Sequence, residues 1–414
     1  MRRRVSPRGF VVVAVAAALV VGVVVSAKRH PSLSVSSSSS ASQASASSST
    51  RTKPSDVPSQ DGLPAVQYSP SNPPPAWSGP LPYPVLIADR GNNRMLEVTP
   101  TKQIVWQYPP AGGLSQGTNF GSDDDAFFTP DGGNIITNEE HDGTVTVISF
   151  YTAQQVWSFG TFGVLGGGSH LLDYPDDAYR LPNGTTIVAD IRNCRELFIN
   201  LSGQITQQWG KPQTGICKSD PANGYFGSPN GDTPQPNGDI LMSLIDGNRI
   251  ALMSPSGQVI WNDPAPDITG YVSDAQLLPN GDVLVADYNK PGGVVEFNPQ
   301  TMAVDWHYDV PSGPGELDHP SLAEQLPNGN IILNDDYNDR VIVIDPKTNH
   351  IVWQYGVNAT PGTAAGFLNT PDGFAVDFYR NWQGWLQQQG SSFQVGPFPG
   401  SVSSSSTASG AALG

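Results

Sequence analysis

The sequence predicts an all-β fold, a six-bladed β-propeller with four-stranded blades, on three recurring observations. A tight turn returns as LPNG at 181–184, 278–281 and 326–329, as TPDG at 129–132 and as QPNG at 235–238. A short strand closing on Asp or Asn follows most of these turns, ending at Asn138, Asp190, Asp287 and Asp335. Tryptophan then recurs as Trp106, Trp157, Trp209, Trp261, Trp306 and Trp353, at spacings of 51, 52, 52, 45 and 47 residues.

Composition agrees. The 414 residues include 44 Gly and 38 Pro, and only 14% are charged, which suits short strands and tight turns. The middle of the chain carries no long 3.6-residue apolar periodicity. The net charge of −16 is unevenly spread. Residues 1–55 hold eight Lys or Arg and no acid, so the remainder sets 13 basic against 37 acidic residues. A body this acidic excludes nucleic acid, whose phosphates require clustered Lys and Arg. It suits cationic ligands or metal ions.

Taken in order, the chain opens with four arginines and then an apolar run over 10–27. Its length lies between a signal-peptide core and a membrane span. Val25-Ser26-Ala27 offers a cleavage site, whereas Lys28 and Arg29 resemble the flank of an uncleaved anchor. Residues 1–27 are therefore a signal peptide or an apolar anchor helix. Either way the body is placed outside the cytoplasm, membrane-anchored or secreted, with membrane contact only through this segment. Residues 28–80, rich in Ser, Ala and Pro, read as a disordered stalk. The propeller spans 81–378. Residues 379–414 form an extension in which Trp382 and Trp385 cap one face, followed by a disordered tail.

Each blade has four strands. In the third, they are 176–181, 185–190, 195–201 and 205–209, here called a to d. A single blade cannot bury both faces of its sheet, so blades pack around an axis, and the repeated Trp and aliphatic residues supply the contacts. The ends define the closure. Residues 81–106 hold strands b, c and d without an a; residues 368–378 read as an a without successors. The C-terminal strand therefore completes the N-terminal blade.

Joined across the ring, PDGFAVD at 371–377 and VLIADRGNNRMLEV at 85–98 resemble one NHL repeat, whose signature is Asp–x–x–Asn–x–Arg. Related segments recur as DIRNCR at 190–195, DGNR at 246–249 and DYNDR at 336–340. Blade ends such as IDPKTNHIVWQYG at 344–356 resemble the repeats of arylsulfotransferase-type and PQQ-type propellers. The resemblance covers about 81–378 and implies a propeller fold. Its arylsulfotransferase branch implies sulfate transfer through a His at the channel mouth.

The b–c loops and the d–a connections emerge on one face, which gathers the variable residues. Aligned on the turns, the inner strands begin with Asp124-Asp125, Asp176-Asp177, Asn230-Gly231, Ser273-Asp274, Ser321-Leu322 and Asp372-Gly373. Acids around a channel mouth can hold Ca²⁺ or a cationic ligand; alternatively they cap loops and tie blades together. Adjacent carboxylates repel unless a cation intervenes, which singles out the paired-Asp blades. Three histidines fall on the same face. His141, His170 and His319 are each either a catalytic group or a solvated loop residue, and under the resemblance His319 holds the place of the nucleophile. Arg94, Arg195, Arg249 and Arg340 each open a strand c, as an anion site or as partners of carbonyls and carboxylates. Cys194 and Cys217 lie on that face too, as a disulfide or as two free thiols.

Two functions follow. One is an exported binding module presenting its loop face to a small molecule or an extracellular protein. The other is an arylsulfotransferase-like enzyme transferring sulfate between phenolic compounds.

Overall fold

The computed structural model describes residues 62–390, apart from 267 and 268. The apolar run at 10–27, most of the stalk and the tail from 391 lie outside the described residues. Among the described residues no helix is long and apolar enough to cross a membrane.

Six antiparallel sheets of four strands form the ring. In blade 3 the strands are Pro175–Arg180, Thr186–Asp190, Arg195–Ile199 and Ile205–Trp209. Strand c stops two residues before its predicted end because Asn200 starts the turn. Its Oδ1 accepts the backbone N–H groups of Ser202 and Gln204, both at 3.0 Å.

Closure is as the sequence predicts. Phe374–Val376 pairs antiparallel with Val85–Asp89, which continues into Arg94–Val98 and Ile104–Tyr108. The register places Phe374 opposite Ile87 and Val376 opposite Val85.

Strand b shows why one blade cannot stand alone. In blade 4, Ile240, Met242 and Leu244 pack on Ile187, Phe198 and Trp209 of blade 3. Leu241, on the opposite face, packs with Val272, Val283 and Val285 of blade 5. Alternate side chains point to opposite faces of a strand, and here both faces are buried. Each such aliphatic side chain contributes about 1.5–3 kcal/mol relative to exposure. The outermost strands face water on one side, and Ile205–Trp209 alternates in burial accordingly.

Five of the tryptophans reach from an outer strand to the c–d turn of the next blade, four of them by an indole hydrogen bond. The indole N–H of Trp106 donates to the Phe150 carbonyl at 2.8 Å, that of Trp157 to Leu201 at 3.1 Å and that of Trp353 to Pro100 at 2.9 Å. Trp306 donates to Asn349 Oδ1 at 2.7 Å. Trp209 lies on Gly257, where a Cβ would collide with the indole.

The Asp–x–x–Asn–x–Arg signature is a clasp within the blade. Asp335 accepts from Asn338 at 3.0 and 3.1 Å, from Arg340 Nε at 2.7 Å and from the Asp318 backbone N–H at 2.7 Å. Arg340 also donates to the carbonyls of Pro314 and Glu316, tying down the connection that leads into strand a. Asp190 with Asn193 and Arg195, and Asp89 with Asn92 and Arg94, repeat the arrangement. The turn ends on a residue with positive φ: Asn93 at 49°, Cys194 at 55° and Asp339 at 53°. Arg249 lacks the Asp, because Leu244 stands opposite it, and donates to Asn262 instead. Cys194 is joined to Cys217, with Cα atoms 5.6 Å apart.

Both terminal segments cover the face of the a–b and c–d turns. The helix Trp382–Gln389 is capped by Asn381, whose side chain accepts the Gly384 N–H at 2.8 Å. Arg380, fully buried, lies 3.6 Å over the Phe150 ring and donates to the Gly132 carbonyl. Residues 62–80, which composition assigns to the stalk, pack here. Trp385 donates to the Gly62 carbonyl at 2.7 Å, Tyr151 Oη donates to Pro64 at 3.1 Å, and the Val66 N–H donates to Tyr151 Oη at 2.9 Å. Leu63 and Trp77 add apolar contact, which composition alone does not reveal.

Two outcomes are expected. A chain ending at Asn369 loses the closing strand together with Arg380 and Trp382, and its thermal transition drops or loses cooperativity; an unchanged Tm would contradict the closure. Arg340→Ala leaves the buried Asp335 carboxylate without its cation and costs about 3–5 kcal/mol in urea unfolding. A loss below about 1 kcal/mol, the scale of one ordinary hydrogen bond, would show that the clasp is marginal.

Candidate functional site

The paired positions at the head of each inner strand lie at irregularities of the sheet. Register shifts fall between Asp123 and Ala126, Pro175 and Ala178, Pro229 and Asp232, and Val272 and Ala275. The two residues inside each shift have no partner on strand b, which turns their side chains toward the axis. The chain enters five of the six inner strands through a non-glycine residue with positive φ: Ser122, Tyr174, Ser228, His319 and Thr370. Such backbone is uncommon outside glycine and is held here by the surrounding blades.

A second device alternates around the ring. At the penultimate position of strand b, or its equivalent, blades 1, 3 and 5 have Ala88, Ala189 and Ala286, while blades 2, 4 and 6 have Asn138, Ser243 and Asn334. Each polar residue holds its own bulge and reaches the next blade. Asn138 accepts the Asp125 N–H at 3.3 Å and donates to the Pro175 carbonyl at 3.1 Å. Ser243 accepts the Gly231 N–H at 2.7 Å and donates to Ser273. Asn334 accepts the Leu322 N–H at 2.9 Å and donates to Pro371 at 3.3 Å. The alternation is visible in the aligned repeats and marks the positions that aim the bulges.

The bulges open onto a cavity of about 580 Å³ lined by residues of all six blades. Asp124, Asp125, Asp176, Asp177, Asp274 and Asp372 all line it, with Glu140 and His141 of one b–c loop. The structure thus brings the six acidic candidates together. It separates the histidines. His141 lines the cavity and meets Tyr174 at 5.2 Å; His170 meets Phe159 at 5.4 Å. His319 sits between Tyr288 and Tyr337, its Nδ1 2.6 Å from Asp318 Oδ1.

Arg90 is the residue that repeat alignment passes over. It follows Asp89 at the start of the first b–c turn and reaches across blades. Its guanidinium pairs with Asp124 at 2.6 Å, with Asp372 at 2.5 Å and with Glu140. The tyrosines Tyr271, Tyr288 and Tyr337 also line the cavity. The signal for Arg90 and Tyr288 lies in the column just after strand b, where the repeats diverge: Arg90, Glu140, Ile191, Ile245, Tyr288 and Asp336.

Burial sets the protonation of this ring. It pushes Asp124, Asp125, Asp176 and Asp177 well above the usual carboxylate range, with the neighbouring carboxylates adding to the shift in each case. Asp274 is pushed up to about 7 by burial. Asp372 alone is lowered, because Arg90, Ser321 and Asp124 together outweigh its burial. Oxygens of Asp124, Asp125 and Asp176 lie within 4.8 Å of one another, a spread compatible with ligands around one Ca²⁺.

The fold and the site define a class: a six-bladed β-propeller with PQQ-like repeats and an acidic channel mouth. Over residues 206–373 the chain matches the family model described as outer membrane protein assembly factor BamB. No curated protein sequence matches. Among solved structures, a protein of unknown function from Bacteroides caccae is 18% identical, with 71% of this chain and 98% of that one covered and a TM-score of 0.49. Virginiamycin B lyase from Staphylococcus aureus is 13% identical over 61% of this chain and 73% of its own, at a TM-score of 0.42. A nidogen/laminin complex gives 11% identity, 71% and 97% coverage and a TM-score of 0.48.

The raised carboxyl groups fix the sign of the pH dependence. An acid whose pKa is higher in the folded than in the unfolded chain stabilises most below its unfolded value, and this is lost as pH rises through the folded value. Glu139 and Asp274 at about 7, with Glu196 and Glu324 at about 8, set the window from about pH 4 to pH 8. The Asp372–Arg90 pair acts oppositely and weakens only on acidification below that window. In metal-free buffer Tm is therefore expected to fall between pH 5 and pH 8. A Tm that rises over that interval would contradict the assignment.

Proposed function

We propose that this protein is an exported, membrane-tethered binding module that takes a small molecule or a segment of an extracellular protein at its channel mouth. The observation that carries the reading is the cavity of about 580 Å³ to which all six blades contribute, a volume within the range of small-molecule sites. Five of its acids, Asp124, Asp125, Asp177, Asp274 and Asp372, are buried around a single arginine, Arg90, an arrangement costly to maintain for structure alone. Residues 62–80 pack on the opposite, turn-bearing face and leave the mouth clear of this part of the chain. The arginines ahead of the apolar run at 10–27, and a matched family named for an outer-membrane assembly factor, support an address outside the cytoplasm.

The test is a thermal-shift and calorimetric screen of the full chain against small molecules. A ligand that raises Tm is expected to bind at least tenfold more weakly to Tyr337→Ala, at the mouth, and unchanged to Trp385→Ala, on the turn face. Binding indifferent to Tyr337→Ala and Tyr288→Ala would overturn the placement. Turnover of an aryl sulfate onto a phenol, abolished by His319→Ala, would replace a binding module with an enzyme.

A further inference from the structure

We infer that the ligand of the mouth is a small organic cation, an ammonium or guanidinium on an aromatic or aliphatic body, held between the blade 2–3 carboxylates and the blade 5–6 tyrosines. The inference rests on the mouth being the binding site and specifies its ligand.

Two cation chemistries compete for this cavity, and the geometry separates them. A divalent metal would use Asp124, Asp125 and Asp176. Asp124 pairs with the Arg90 guanidinium at 2.6 Å, which places a fixed positive charge beside any ion bound by that triad. The same pairing leaves the rest of the wall unmatched. Asp125 is only 6% exposed and lines the cavity. Its carboxyl group hydrogen-bonds the Asp177 carboxyl group and, among the described residues, receives no N–H donor and no Ser, Thr or Tyr hydroxyl. A buried carboxyl pair in that state holds a proton, and a cationic donor from outside the chain can take the proton's place.

The opposite wall is aromatic. In a ring of six, blades 2 and 3 stand across from blades 5 and 6, which supply the tyrosines. Tyr288 packs against Tyr271 at 5.3 Å and Tyr337 at 6.4 Å between ring centres, and all three line the cavity. A bare metal ion has no use for ring faces, whereas an organic cation is attracted to them. Volume decides in the same direction, since about 580 Å³ suits a small organic molecule rather than one ion.

The experiment is isothermal titration of the full chain, in buffer freed of divalent ions, with phenethylamine, agmatine and spermidine, with the neutral isostere phenethyl alcohol, and with CaCl₂. At least one amine is expected to bind saturably, more weakly at high salt. Its affinity falls at least tenfold in Asp125→Asn and in Tyr288→Ala, while phenethyl alcohol binds at least tenfold more weakly than phenethylamine. Circular dichroism and Tm verify that both variants fold, and Tyr337→Phe, which keeps the ring, retains binding. Equal binding of alcohol and amine overturns the cationic class and leaves the mouth as a site for neutral ligands. Calcium binding lost in Asp125→Asn, with no amine binding, makes the cluster a metal site. Amine binding insensitive to both variants overturns this inference and the mouth as binding site together.

Discussion

A four-stranded blade with apolar side chains on both faces has to be covered twice, and the rest of the molecule follows from that constraint. Blade 4 shows it in one strand: Ile240, Met242 and Leu244 need blade 3, while Leu241 needs blade 5. A row of such blades would leave two bare faces at its ends. Closing the ring removes both, and joining Phe374–Val376 to Val85–Asp89 makes the last blade from both ends of the chain. The tryptophan staples repeat the dependence at the periphery, where the outer strands of blades 1, 2, 5 and 6 are hydrogen-bonded to the turn of the blade that follows.

The centre of the ring carries the opposite chemistry. Strand a lines it, and its first residues are lifted out of register by the bulges. Asn138, Ser243 and Asn334 spend their hydrogen bonds on holding those bulges and on linking each even blade to the next. The carboxyl groups so aimed cannot all ionise side by side in a buried cavity. Arg90 relieves the blade 1–2 side by pairing with Asp124, Asp372 and Glu140. The blade 3–5 side keeps its acids without an equivalent cation, and protons or a bound cation complete it. The mouth is thus held in a state that a ligand improves, which is the ordinary signature of a functional site.

Much of the fold was legible in the sequence because it is written six times. The Pro-Asn-Gly turns set the a–b hairpins, the tryptophans mark the outer strands, and unequal ends declare the split blade. Repetition also exposed the bulge residues as the positions where the blades stop agreeing. What repetition conceals is anything present once. Arg90 stands at a position that the repeat signature leaves open, between Asp89 and Asn92, and organises one side of the mouth. The tyrosines come from loops of different blades and meet only in the closed ring. Leu63 and Trp77 could not be told from a stalk, because their Ser- and Pro-rich surroundings carry no strand or helix pattern and only the folded ring gives them a surface to pack on.

The central claim is that the folded ring concentrates carboxyl groups that hold protons, or a cation in their place, at pH values where ordinary carboxylates have none. Difference potentiometry measures this directly, by comparing the protons bound to the native chain and to the chain unfolded in denaturant, in metal-free and amine-free solution. The expected result is an excess of bound protons on the native chain between pH 5 and pH 7, reduced in Asp274→Asn and diminished when a binding cation is added. Superimposable native and unfolded curves over that interval would contradict it.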